Sequence, residues 1–225
     1  MGPRSGGEDG RIAARPGTPS GTVEPGLQRL PLAGMEALLY VPSGYRPETP
    51  APLVLALHGA GGTAQYGLDP LHGFVDDLGF VLLAVRSAGR TWDVILGGFG
   101  ADVRAIDSAL AHVFGRVAVD PERIVASGFS DGASYALSLG ITNGDLFERI
   151  VVFSPGFMSP ASQHGAPRIF VSHGTRDSVL PIDVCSRRLV PRLQGARYAV
   201  EYREFDGGHT IPPEIALEAA RWMTD

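Results

Sequence analysis

The chain is short of cysteine, of clustered positive charge and of long apolar runs, and each shortage removes a class of protein. Cys185 is the one cysteine in 225 residues, so no intramolecular disulfide framework can form, and the residue is expected to pack as a small hydrophobe. Lys and Arg total 19 against 24 Asp and Glu, a net charge of -5. With no basic stripe besides, nucleic acid is not an expected partner. No apolar run is long enough to span a bilayer. Residues 1–26, dominated by Gly, Pro, Arg, Ser and Thr, lack the apolar core of a secretory signal. They are expected to form a disordered tail, and the protein to be cytoplasmic. His72, His112 and His164 show no ligand spacing, so no metal is expected, and no other cofactor is expected either. Internal repeats and a second core are also missing.

What remains suits one well-buried domain over residues 27–225, with 44% hydrophobic and 19% charged residues. Residues 28–32 and 36–41 read as two strands around a turn at Ala33 and Gly34. After a Pro-rich loop, 53–57 and 80–85 are continuous apolar runs, as expected of strands buried on both faces. A short helix is expected over 71–78. Val103, Ile106, Ala109, Leu110 and Val113 recur at helical spacing within 101–114. Further strands are expected at 122–129, 149–153, 168–172 and 198–204. Helices are expected at 133–140, at 183–193 with Asp183 as N-cap, and at 213–223. This alternation predicts an α/β fold, a mostly parallel sheet with helices on both faces and an antiparallel hairpin at one edge. Only about a dozen residues separate the strand ending at 153 from that starting at 168, which leaves little or no room for a cap domain.

The most informative stretch is Gly128-Phe129-Ser130-Asp131-Gly132, a match to G-x-S-x-G. In a nucleophile elbow the Ser sits on a strained turn between strand and helix, and its Oγ is lifted clear of the sheet. Side chains at the flanking positions would strike neighbouring backbone, hence the glycines. A bare match carries little weight, but here an apolar run leads into the Ser and an Ala- and Leu-rich segment leaves it. A Ser hydroxyl needs a base, and a His base needs a carboxylate to hold its tautomer. Asp177 follows the strand at 168–172 and His209 follows the strand at 198–204, which gives the order Ser, Asp, His. Alone, Asp177 could be a turn residue and His209 a surface histidine. Together, each at the carboxyl end of a strand, they lie where open α/β sheets place ligand crevices. Asp145, Asp183 and Asp206 are weaker candidates for the acid. The first precedes its strand, the second starts a helix and the third shares a turn with His209.

An ester carbonyl under attack needs N–H donors aimed at its oxygen. One is expected from Asp131, the residue after the nucleophile. The other is expected from the loop His58-Gly-Ala-Gly-Gly62, from Ala60 or alternatively Gly61. His58 and His173 are expected to brace loops through hydrogen bonds.

His58-Gly-Ala-Gly-Gly, Gly-Phe-Ser130-Asp-Gly, His-Gly-Thr-Arg-Asp177 and Gly-Gly-His209 together resemble the serine esterases of the α/β-hydrolase superfamily. Two groups are similar: the phospholipase/carboxylesterase family, which includes acyl-protein thioesterases, and the polyhydroxybutyrate depolymerase/feruloyl esterase family. The segments 102–107 and 119–125 resemble both. The resemblance runs from about Leu27 to the C-terminus. It implies the α/β-hydrolase fold and a catalytic triad, and says little about substrate. Many relatives carry Gln or Asn after the nucleophile where this chain has Asp131, and Gly where it has Ala133. The Asp131 carboxylate would oppose an oxyanion if aimed at it, so it is expected to point away, toward a donor.

The loop 86–99 follows a strand and is expected to reach the site. Trp92 could wall an acyl or aryl group or could pack the loop. Ile95, Leu96, Phe99, Phe157 and Met158 could extend an apolar surface for substrate. The expected function is hydrolysis of small-molecule carboxylic esters, with short or medium acyl or aryl groups, through an acyl-enzyme. An acyl thioesterase or a polyester/feruloyl-type esterase is the alternative. A non-catalytic binding module on the same fold is the non-enzyme reading. Oligomeric state and physiological substrate are not legible.

Overall fold

The computed structural model describes residues 9–32 and 34–225. Ala33 of the expected first turn and residues 1–8 of the expected tail lie outside them. The strands are β1 (Gly26–Arg29), β2 (Ala37–Val41), β3 (Ala51–Leu57), β4 (Val81–Val85), β5 (Val119–Phe129), β6 (Arg149–Phe153), β7 (Arg168–Gly174) and β8 (Val200–Phe205). All join one sheet in the order β1-β2-β4-β3-β5-β6-β7-β8. β1 and β2 are antiparallel, and every pairing from β4 to β8 is parallel.

Every residue of β3 and β4 is buried, because helices cover both faces and leave no solvent side for polar alternation. Successive β3 side chains point to opposite faces and feed two cores. Leu53, Leu55 and Leu57 enter the core that also holds Ile106 and Leu110 of α3 (Ala101–Phe114), Leu137 of α4 (Asp131–Thr142) and Leu193 of α5 (Ser186–Gly195). Val54 and Ala56 enter the other core, with Leu68 of α1 (Ala64–His72), Val75 of α2 (Val75–Leu78) and Ala219 of α6 (Pro213–Thr224). A single turn of 3-10 helix spans Asp93–Leu96. Residues 154–167, between β6 and β7, contain no helix, so this connection inserts no cap.

Several expectations need correction. Helix α1 begins well before residue 71. Its N-terminus is set by Thr63, whose hydroxyl accepts the Tyr66 N–H, while Gly67 and Pro70 inside it hide the helical pattern from a propensity reading. The N-cap of α5 is Cys185, not Asp183. That carboxylate instead pairs with Arg187 at 2.7 Å, one turn along.

Residues 10–15 of the segment expected as a disordered tail are instead held against the domain. Among its described residues the segment forms no helix, and it runs as a strap past Asp107 in the middle of α3 to Asn143 at the C-terminal end of α4. The Ile12 side chain is buried in the core. Asn143 accepts the Ile12 N–H at 2.9 Å and donates to the Gly10 carbonyl at 2.8 Å. Asp107 accepts the N–H groups of Ala13 and Ala14, and Arg11 and Arg15 both reach Asp145 at 2.7 Å. Side chains distant in sequence satisfy this backbone, which is why composition alone suggests disorder.

Helix α4 carries a second polar device. Ser134, Ser138 and Thr142 stand four residues apart, each donating its hydroxyl to the carbonyl four residues earlier. The same oxygens accept backbone N–H groups from Gly156, Ser159 and Ala161. The β6–β7 connection is thereby laced along the helix.

Candidate active site

The elbow joins β5 to α4, and Ser130 occupies the turn at φ 57° and ψ -120°, a left-handed conformation costly for a non-glycine residue. Its N–H is fixed to the Phe153 carbonyl at 3.0 Å, which ties the turn to the end of β6. A Cβ on Gly128 would overlap the Gly132 carbonyl, and one on Gly132 would overlap the carbonyls of Leu57 and His58. The glycines are therefore required by close backbone approach.

His209, beyond β8, places Nε2 2.9 Å from Ser130 Oγ and Nδ1 2.6 Å from Asp177 Oδ2. An ionised carboxylate can only accept, so Nδ1 carries the imidazole proton and Nε2 is free to accept the Ser130 hydroxyl. Asp177 Oδ1 accepts the N–H groups of Val179 and Leu180 at 2.9 and 2.8 Å. Burial pushes the Asp177 pKa up, but the Leu180 N–H, His209 and the Val179 N–H outweigh it, and the net shift is downward. The group stays a carboxylate. Phe129 lies against the His209 ring at 4.6 Å between centroids.

His58 and His173 brace loops. The Ser87 N–H donates to His58 Nε2, so the proton sits on Nδ1 and goes to the Gly59 carbonyl at 2.7 Å. Burial lowers the His58 pKa and suits this neutral form. His173, also lowered by burial, bonds through Nε2 to the Leu180 carbonyl and through Nδ1 to Ser186, beneath the turn that carries Asp177.

Among the described residues, no hydrogen bond takes the Ala60 N–H. Asp131 is the first residue of α4, where an N–H has no intrahelical acceptor. Gly61, the alternative to Ala60, gives its N–H to the Arg90 carbonyl at 2.6 Å and is already committed. The Asp131 carboxylate points to a donor, the Thr91 hydroxyl, at 2.5 Å.

The family model described as Phospholipase/Carboxylesterase matches residues 102–222, more than half of the chain. The chain belongs to the phospholipase/carboxylesterase family. It is 29% identical to feruloyl esterase C of Emericella nidulans over 67% of this chain and 57% of that protein. It is 30% identical to feruloyl esterase B of Thermothelomyces thermophilus over 53% of this chain and 44% of that protein. The chain thus spans about half the length of these relatives. A Bacillus cereus carboxylesterase structure has the same fold, with a TM-score of 0.65 at 23% identity, covering 85% of this chain and 94% of that one.

The residues expected to bind substrate in this family member divide. Trp92 is fully buried, stacked on Tyr135 with its indole N–H on the His58 carbonyl. It packs the loop and offers no wall to a ligand. Phe99 is also buried, against Tyr135 and Gly10 of the N-terminal strap. Leu96 is 76% exposed, while Ile95, Phe157 and Met158 are half-buried against the core. Sequence reasoning missed Tyr66 on α1, 64% exposed, which lines a small crevice with Pro70, Phe129 and Ile211; none of Ser130, Asp177 and His209 lines it. It also missed Thr91, Asp93 and Asp102. Asp102 lies in the noted segment 102–107, and an acidic residue on the apolar stripe of a helix was the available signal. A larger cleft of about 470 Å³, lined by residues including Glu36, Arg86 and Arg104, contains none of Ser130, Asp177 and His209.

Proposed function

We propose that the protein is a serine-dependent carboxylic ester hydrolase. The observation that carries this reading is the unbroken chain from Ser130 through His209 to Asp177, at 2.9 and 2.6 Å. Ser130 Oγ attacks the ester carbonyl carbon while its proton passes to His209 Nε2. The carbonyl oxygen becomes an oxyanion that receives the N–H groups of Ala60 and Asp131. As the tetrahedral centre collapses, the C–O bond to the alcohol breaks, and the alcohol leaves with the proton from His209. Water then gives its proton to His209, attacks the acyl-enzyme and releases the acid, and Ser130 regains its hydrogen. Asp177 holds the His209 tautomer throughout.

The substrates proposed are short or medium acyl and aryl esters. The helix-free β6–β7 connection supports an open site that also admits bulky esters, and the feruloyl esterase names of two relatives favour aryl acids among them. A fluorophosphonate probe tests the chemistry: wild type should be labelled and Ser130→Ala should not. Equal labelling of both would remove the assignment. A panel of p-nitrophenyl esters, methyl ferulate and acyl-CoA thioesters then ranks the acyl groups, and preference for the thioesters would overturn the ester reading.

A further inference from the structure

The segment Ser87–Asp93 touches both halves of the proposed oxyanion hole. Toward the loop after β3, the Ser87 N–H bonds His58 Nε2 at 3.0 Å, the Trp92 indole bonds the His58 carbonyl at 2.8 Å, and the Arg90 carbonyl takes the Gly61 N–H at 2.6 Å. Toward α4, the Thr91 hydroxyl bonds Asp131 Oδ2 at 2.5 Å. The segment has its own anchor, because the buried Asp102 carboxylate accepts the N–H groups of Ala88 and Asp93, each at 2.7 Å.

We propose that Thr91 is a positioning residue for ester cleavage. Its hydroxyl holds the Asp131 carboxylate against this segment and away from the carbonyl oxygen that accepts the Asp131 N–H. The proposal rests on the hydrolase reading above. Asp131 is under opposed demands: its N–H must welcome a developing negative charge, while its side chain carries one. Two like charges a few ångströms apart in a partly dry site repel strongly. A hydroxyl donor fixed on an anchored loop limits the freedom of the Asp131 side chain and draws its charge toward itself. The same bond joins the segment that grips the Ala60 loop to the first turn of α4, alongside the Trp92–Tyr135 stack one turn further on.

A double-mutant cycle tests this: wild type, Thr91→Val, Asp131→Asn and the double variant, with kcat and KM measured on p-nitrophenyl acetate. Thr91→Val is expected to lower kcat by about tenfold or more while KM stays within about twofold, since the effect is confined to the charged transition state. Thr91→Ser, which keeps the hydroxyl, should retain the wild-type kcat. In the Asp131→Asn background the Val substitution should change kcat by less than about threefold, because no like charge remains to be held. An unchanged kcat in Thr91→Val, or the same loss in both backgrounds, would overturn the proposal. Circular dichroism reports folding, and Thr91→Ala carries the same comparison if the Val variant does not fold. A wild type that takes no fluorophosphonate label removes the hydrolase reading and Thr91's role with it. A labelled wild type with a kinetically silent Thr91 overturns this proposal alone.

Discussion

Asp93 and Asp102 cap each other's backbone: Asp102 Oδ2 accepts the Asp93 N–H at 2.7 Å, and Asp93 Oδ2 accepts the Asp102 N–H at 2.9 Å. Burial raises the pKa of both carboxyls, so the pair is held at an electrostatic cost and kept by the backbone groups it satisfies. Asp102→Ala leaves the N–H groups of Ala88 and Asp93 without their acceptor. The expected loss is about 2–4 kcal/mol, measured by urea unfolding. A change under about 0.5 kcal/mol would show that water replaces the carboxylate without cost.

The grip on Asp177 predicts an asymmetric response to a small substitution. In Asp177→Asn the amide oxygen is held by the Val179 and Leu180 N–H groups, so the NH2 group faces His209 Nδ1. That nitrogen must then accept, the ring proton moves to Nε2, and the Ser130 hydroxyl loses its acceptor. A fall in kcat of about 10³–10⁴-fold with little change in Tm is expected. Retention of more than about a tenth of the wild-type kcat would mean that the tautomer is set by something else.

The hydroxyl ladder on α4 should act on stability more than on chemistry. Ser138 is fully buried, donates to the Ser134 carbonyl and accepts the Ser159 N–H. Ser138→Ala leaves that N–H unpaired and is expected to cost about 1–3 kcal/mol in thermal or chemical unfolding. Hydrolysis of a small ester should be affected far less, because the residue is two turns along the helix from Ser130. A large fall in kcat with unchanged stability would contradict this division.

The sequence makes the sheet legible because strands covered on both faces leave continuous apolar runs, and the boundaries of β6 and α3 coincide with that reading. Ser130, Asp177 and His209 are legible as loop residues after strands because strand and turn signals are local. Trp92 is not: an aromatic in a Gly-rich loop reads alike whether it faces a ligand or Tyr135. The Thr91–Asp131 bond joins residues 40 positions apart, and no local pattern announces it. The strap is hidden for the same reason. Its order comes from Asp107, Asn143 and Asp145, each more than 90 residues distant.

The strap gives the clearest dependence on pH. The Arg11 hydrogen bond, opposed by burial and supported by the bond from Arg15, holds the Asp145 carboxyl far below the usual carboxylate range. A group depressed in the folded state contributes stability that is fully present above its unfolded pKa, about 3.9 for Asp, and lost as pH falls through the folded value. Asp145→Asn removes that contribution, so wild type should exceed the variant in Tm at neutral pH. The gap should begin to narrow as pH falls below about 4 and close only well below that, as the folded-state carboxyl is protonated. The site is partly exposed and therefore screened, so the gap should also shrink in high salt. Limited proteolysis gives a second readout, with cleavage between Arg11 and Arg15 appearing in the variant at neutral pH, where wild type is protected. A gap that widened on acidification would have the wrong sign for a depressed carboxyl and would assign the strap's order to Ile12 and Asn143 instead.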